Sequence, residues 1–287
     1  MKALVTGAGG MVGRAVAGYC ASLGDTVSAY THQTLDITDE ARVRAAFEIE
    51  RPDVVFNCAA WTNVDGCEAD AGHAYSVNAR GPRNLAAESR RVGATLVTIS
   101  TDYVFDGAKA GFYTQRDDPR PVSVYGAAKL EGERLAQAAN ARTIVIRTGW
   151  IFGTGGTNFL SQVIDLAQSG ARLRAIRDAY GTPTYAVDLA QRLRRLAELD
   201  LPGVYHVVNS GEGASYEEFT RAAVAFCGCE ADIESIGMDS INRPAPRPRN
   251  SRLKCLISEA IGLEPLPPWL DSLRDFVNTS SGLKTAV

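Results

Sequence analysis

Lys2-Ala-Leu-Val-Thr6 runs directly into Gly7-Ala-Gly-Gly10-Met-Val-Gly13, and this stretch decides how the chain is read. The first five residues form a short apolar strand, and Met11–Leu23 carries its apolar residues at helical spacing. Three glycines, three positions apart, fill the turn between them. Gly7 permits a tight turn, Gly10 lets backbone approach a diphosphate, and Gly13 lets helix and sheet pack closely. A diphosphate placed there meets unpaired N–H groups and the positive end of the helix dipole. The strand–turn–helix context makes this glycine trio a prediction of dinucleotide binding.

One partner expected of such a site is missing. An acidic residue ending the second strand would bind the ribose of NAD, and a basic one would favour NADP. The residues there are Tyr30-Thr-His-Gln33, so the cofactor is read as NADPH or NADH without a choice between them. Asp36 follows within Leu35-Asp-Ile-Thr38, where it either contacts the adenine or caps the next helix.

Outward from the turn, strands and helices alternate. Strands are predicted at 2–6, 26–30, 54–58, 95–100 and 143–147. Helices are predicted at 11–23, 39–50, 69–92 and 124–139. Apolar strands separated by helices indicate an α/β fold, a Rossmann-type doubly wound parallel sheet. After Trp150 come helices at 158–169, 188–199 and 216–227 and a strand at 203–208. Residues 1–150 are therefore assigned to a dinucleotide-binding domain, with contributions from about 185–208. Residues 151–184 and 209–287 form a smaller C-terminal substrate-binding region. Arg243–Arg249, with its alternating prolines, reads as extended backbone, and 278–287 as a frayed tail.

Composition excludes more than it identifies. The 287 residues hold 30 Lys+Arg against 33 Asp+Glu, a formal net charge of -3, which argues against a general nucleic-acid binder. Apolar runs such as 54–60 are strand-sized, so no membrane span is expected. Met1-Lys2 leads straight into the strand, so no secretory leader is read. Cys20, Cys58, Cys67, Cys227, Cys229 and Cys255 form no CxxC pair, and only three histidines accompany them. No metal site is expected, and free thiols in a reducing cytoplasm are.

Tyr125-Gly-Ala-Ala-Lys129 puts a phenol and an ammonium four residues apart on one helix face. A cation held near the phenol would lower its pKa from about 10 towards the range of a neutral-pH acid–base catalyst. Ser100-Thr-Asp-Tyr-Val-Phe-Asp-Gly107 follows an apolar strand, so its hydroxyls fall at the carboxyl end of the sheet, where ligands of open α/β sheets bind. Thr101 there can donate a hydrogen bond to a substrate carbonyl. The four arginines of 243–252 include Arg247 and Arg249, whose planar forks suit a substrate diphosphate. A solvated proline-rich loop or a partner-binding segment is the other reading.

Taken together, Thr6-Gly7, Gly10 and Gly13, Asn57-Cys-Ala-Ala60, Ser100–Gly107 and Tyr125-Gly-x-x-Lys129-Leu-x-Gly-Glu133 resemble the extended short-chain dehydrogenases/reductases. Within them the likeness is to the dTDP-4-dehydrorhamnose reductase branch. It continues through Arg147-Thr-Gly-Trp150, Asp178–Thr184, Gly203-Val-Tyr-His206 and Arg247–Leu253, covering about residues 2–277. The resemblance implies hydride transfer from NADPH or NADH to the C4 ketone of dTDP-4-dehydro-L-rhamnose, giving dTDP-L-rhamnose. Tyr125 would supply the proton, Lys129 would tune Tyr125 and fix the nicotinamide ribose, and Thr101 would steady the carbonyl. Gly10, Met11 and Val12 would line the diphosphate, Asp36 and Ile37 the adenine, and Ala59, Ala60 and Trp61 the inner cofactor. Asp102 and Trp150 would join Thr101 and Tyr125 on the substrate side, with a buried core Trp as the alternative for Trp150.

Departures from the pattern are specific. Gly149 stands where some relatives have Ser, and Ala179 where some have Gln. Ala15 replaces a Glu that helps certain relatives bind Mg²⁺ at a dimer contact, so a homodimer is admitted but a metal-linked one is not expected. Two alternatives accompany the main reading. One is a reductase of another dTDP-4-keto-deoxysugar. The other is a non-catalytic cofactor-binding regulatory subunit, like the beta subunit of methionine adenosyltransferase.

Overall fold

The computed structural model describes residues 1–284. Its first half follows the alternation of the sequence: β1 (Lys2–Thr6), α1 (Met11–Ser22), β2 (Thr26–Tyr30), α2 (Glu40–Glu50) and β3 (Val54–Asn57). After β3 come α3 (Val64–Ala69), α4 (Ala71–Tyr75), α5 (Gly81–Val92), β4 (Thr95–Thr101), α6 (Val124–Ala139) and β5 (Thr143–Thr148). All strands of the central sheet run parallel, in the order Gly203–His206, β5, β4, β3, β1, β2. The strand order reverses at β1, which opens a crevice at the carboxyl ends of β1 and its neighbour β3.

Period-two alternation decides which residues each layer receives. Ala3 and Val5 point to one face, where they pack with Val16 of α1 and with Leu189 and Leu193 of α8 (Ala186–Leu199). Leu4 points to the other, against Val43 and Phe47 of α2, Leu85 of α5 and Ala136 of α6. With both faces covered, β3 is buried along its whole length.

The second half supplies the sixth strand, Gly203–His206, alongside β5, and builds a separate core. That core joins Phe152 with α7 (Phe159–Gln168), α9 (Tyr216–Cys227) and the helix Trp269–Lys284. Among the described residues, no helix is long and apolar enough to cross a membrane.

Four local readings change. The region 69–92 is broken at Asp70, which ends α3 and caps α4, and it widens to a π-helical turn at Ser76–Arg80 before α5. Pro82 explains the widening, because it has no N–H to give the Asn78 carbonyl four residues back. The strands Leu173–Ile176 and Ile233–Ile236 form a parallel pair too short and mixed to stand out in the sequence. The terminal helix reaches Lys284, through most of the stretch read as frayed, while 285–287 lie outside the described residues. Cys227 and Cys229 are joined as a disulfide rather than free. Between them Gly228, in the left-handed conformation, is the C-cap of α9. Cys20, Cys58, Cys67 and Cys255 are free thiols.

Candidate active site

The glycine turn has the geometry a diphosphate needs. Gly7 sits at φ +68, and a Cβ on it would strike Cys58 and Ala59 backbone at 2.6 Å. A Cβ on Gly13 would meet the Gly7 carbonyl oxygen at 2.2 Å, so α1 and the turn touch only because both are glycine. Gly10 is the N-cap of α1, has no capping side chain, and is followed by no acid in the first turn. The helix therefore presents its free N–H groups to the crevice, a fit for a dinucleotide's diphosphate. Arg14 donates hydrogen bonds to the carbonyls of Gly9 and Gly155, pinning the loop after Phe152 over this turn.

Behind the turn a hydrogen-bond chain crosses three strands. The Thr6 hydroxyl donates to Asn57 Oδ1 at 2.8 Å, and Asn57 Nδ2 donates to the Thr98 hydroxyl at 3.0 Å. The same Oδ1 accepts from the backbone of Ala59 at 3.2 Å, which bends the chain after β3 towards the cavity.

A cavity of about 690 Å³ runs from the glycine turn to the ends of β4 and β5. Gly10, Met11, Val12, Gly13, Ala59 and Ala60 line one end; Thr101, Asp102, Tyr125, Lys129 and Trp150 line the other. Sequence reasoning placed all of these at the site. Gly7 lies behind the turn, outside the lining. Trp61 is also outside it, packed against the cluster that holds Tyr125 and edge-on to His73. Ile37 is buried in the core below α5, and Asp36 accepts from the Thr38 backbone and hydroxyl at 2.9 and 2.8 Å. Burial pushes the Asp36 carboxyl up, but the Thr38 bonds outweigh it and hold it low. Asp39, not Asp36, caps α2.

Thr101, Tyr125 and Lys129 meet because α6 lies across the end of β4. Ser123 caps α6 by accepting from Gly126. Gly126 lets the helix come so close to the Tyr103 carbonyl that a Cβ would sit 2.2 Å from it. One turn on, Lys129 Nζ donates to the Ile99 carbonyl at 2.7 Å. One turn further, Glu133 accepts from Ser100 and takes a bidentate bond from Arg147 of β5, with Nη2 at 2.7 Å. Both ends of that ion pair are buried. Consecutive residues of β4 are thus tied to successive turns of α6.

The electrostatics differ from the sequence expectation. Burial pushes the Tyr125 phenol well above its usual value, with the neighbouring Thr101 hydroxyl opposing and the Asp102 charge adding to the rise. Lys129 is not among its perturbing charges; burial brings the ammonium itself down to about 8, against the pull of Glu133. In this form of the protein the phenol keeps its proton at neutral pH, as a proton donor requires. Burial also raises Asp102 to about 6, although Ser251 and Thr101 bond to it. The Thr101 hydroxyl donates to Asp102 Oδ1 at 3.1 Å and accepts from the Tyr103 backbone at 3.1 Å.

Trp150 adopts φ +51 and stacks on Tyr216 with ring centres 3.9 Å apart. Its indole fills the space above Gly181, where a Cβ would be 2.0 Å away. Arg247 and Arg249 stand outside the main cavity. Arg247 forms a bidentate bond to Asp65, 2.8 Å on each side, and Arg249 pairs with Asp178 and Asp239. Arg247 nonetheless borders a narrow recess that shares Tyr103, Trp150 and Tyr216 with the cavity. Sequence reasoning missed Thr148 and Tyr216. Thr148 carried a usable signal, since it ends a strand as Thr101 does; nothing near Tyr216 ties it to Trp150.

Comparison with known proteins agrees with this geometry. Residues 1–281 match the family model described as RmlD substrate binding domain. The spore coat polysaccharide biosynthesis protein SpsK of Bacillus subtilis is 38% identical over 98% of this chain and 98% of its own. A dTDP-4-dehydrorhamnose reductase of Mycolicibacterium smegmatis is 38% identical over 99% of this chain and 87% of its own. The crystal structure of dTDP-4-dehydrorhamnose reductase from Bacillus anthracis in complex with NADP superimposes with a TM-score of 0.93 at 32% identity, covering 96% of this chain and 99% of that one. Sheet order, glycine cradle and near-full-length likeness converge, and the chain belongs to the RmlD family of dTDP-4-dehydrorhamnose reductases.

Proposed function

We propose that this chain reduces the C4 ketone of dTDP-4-dehydro-L-rhamnose to dTDP-L-rhamnose with NADPH or NADH. The supporting observation is that Thr101, Tyr125 and Lys129 share one cavity with the uncapped N-terminus of α1. The family's relatives named as this reductase, and the related structure holding NADP, support the same reading.

A reduced nicotinamide bound along the glycine turn supplies the hydride. The residues of the chain do the rest. Tyr125, protonated at neutral pH, gives its proton to the oxygen that becomes the alcohol. Thr101 turns its hydroxyl from Asp102 to that oxygen and stabilises the developing charge. Lys129, held by the Ile99 carbonyl, places its ammonium where it steadies the phenolate left behind and reaches the nicotinamide ribose. Trp150, braced by Tyr216, walls the sugar side, and the second half of the chain forms the substrate-binding region. Arg247 or Arg249 meets the substrate diphosphate, a role each must share with its carboxylate partners. Asp36 and Ile37 flank the adenine, and Trp61 backs the inner cofactor. The reading places the enzyme in the cytoplasm, with which the free Cys20, Cys58, Cys67 and Cys255 agree and the Cys227–Cys229 disulfide does not.

The test is oxidation of NADPH or NADH with dTDP-4-dehydro-L-rhamnose. Tyr125→Phe is expected to lower kcat by about 10²–10⁴ while leaving the fold intact. Full turnover by that variant would refute the proton-donor role. The regulatory-subunit reading gains no support, because the Tyr/Lys pair such a protein is free to lose is complete.

A further inference from the structure

Lys129 is buried, and its Nζ donates to a neutral group, the Ile99 carbonyl, at 2.7 Å. Among the described residues no carboxylate pairs with it directly. A buried ammonium without a counter-charge tends to shed its proton, yet a cation is what a phenolate left at Tyr125 needs beside it.

The groups around Lys129 leave one source for that charge. Tyr125, one turn back on α6, keeps its proton at neutral pH. Cys58, after β3, has its thiol pushed up to about 12 by burial, so it is neutral as well. Asp102 and Cys67 act on Tyr125 and not on Lys129. Burial draws the Lys129 ammonium down to about 8, and Glu133, one turn further along α6, is the anion that opposes it. Glu133 itself lies outside the cavity lining. Ser100 donates to its carboxylate, and Arg147 grips it with a bidentate bond, Nη2 at 2.7 Å. Well-packed apolar residues hold a core together as well as a buried ion pair does, so stability alone does not account for this one.

We propose that Glu133 is a positioning residue for the reduction, keeping Lys129 a cation beside Tyr125, with Arg147 and Ser100 fixing its carboxylate one turn from the ammonium. This rests on the reductase reading and deepens it, since Glu133 acts through Lys129 and touches no reacting atom.

The experiment follows the Lys129 side-chain resonance by NMR of lysine-labelled protein, assigned by its loss in Lys129→Gln. In parallel it follows kcat/KM for dTDP-4-dehydro-L-rhamnose with NADPH across the same pH range. In the parent the resonance is expected to titrate at about 8, and kcat/KM to fall through the same pH. Glu133→Gln leaves Arg147 unpaired, so a second variant, Glu133→Gln with Arg147→Met, removes both charges. Residues four apart on a helix lie about 5–6 Å from each other, where a unit charge at an effective dielectric near 20 moves a midpoint by about one to two pH units. In both variants the midpoint and the alkaline limb should move down by that much, with a loss in kcat/KM of about tenfold at about pH 8. Glu133→Asp, which keeps the charge, should stay near the parent. A Glu133 that serves only the fold would lower kcat/KM at every pH and leave both midpoints in place, and that result in either variant overturns the proposal. A parent resonance titrating at the ordinary 10.5 overturns it without any variant, because the ammonium would then need no help. A resonance that still moves, with no NADPH oxidation on any 4-keto sugar, would refute the reductase reading and, with it, the catalytic role given to Glu133.

Discussion

Asp102 is the residue on which most of the site's unusual chemistry converges. Burial raises its carboxyl from 3.8 to about 6, so between about pH 4 and pH 6 the folded chain holds a proton that the unfolded chain has lost. Its stabilising contribution is full below pH 4 and is lost as pH rises through 6. The difference in urea midpoint between the parent and Asp102→Asn should move in the variant's favour as pH rises across that window. Lys129 has the opposite sign and a different window. Its folded value near 8 lies below the ordinary 10.5, so stability gains from this group as pH rises from about 8 to 10.5. Gly149 makes the carboxylate's position possible. Gly149→Ser is expected to cost about 1–3 kcal/mol in thermal unfolding and to depress kcat/KM, because Asp102 must move.

At the scale of elements, α6 is held to the sheet by close contact and by a buried ion pair. Gly132 lies so near the Asn78 carbonyl, in the π-helical turn, that a Cβ would sit 2.1 Å from it. Gly132→Ala should therefore destabilise the protein, although alanine is the better helix former. Gly18 in the middle of α1 has open space around it, and Gly18→Ala should stabilise by about 0.5–1 kcal/mol. Denaturant unfolding of the two variants side by side gives opposite signs if close approach, and not propensity, decides. Glu133→Gln leaves Arg147 buried without its carboxylate and is expected to cost about 3–5 kcal/mol in the same measurement.

The six-stranded sheet and the grouping of Thr101, Tyr125 and Lys129 on one cavity were legible in the sequence for one physical reason. Strands buried on both faces read as apolar runs, and the glycine turn and Tyr125/Lys129 pair are local patterns whose geometry follows from spacing. What was not legible depends on contacts between distant segments. Asp36 offered an adenine contact or a helix cap; Asp39 is the cap, and Asp36 bonds the residue two positions on. The bond between Arg247 and Asp65 joins residues far apart in the chain and leaves no local signal. The burial that raises the Tyr125 phenol comes from the surrounding layers, which no local spacing reveals.

The strand Gly203–His206 completes the sheet from deep in the second half, against the edge of β5. During translation, β5 leaves the ribosome long before its neighbour exists, and its row of backbone donors and acceptors stays open meanwhile. A nascent chain halted near residue 150 would thus expose a sticky margin, and expression of that fragment alone should yield aggregates where the whole polypeptide stays in solution.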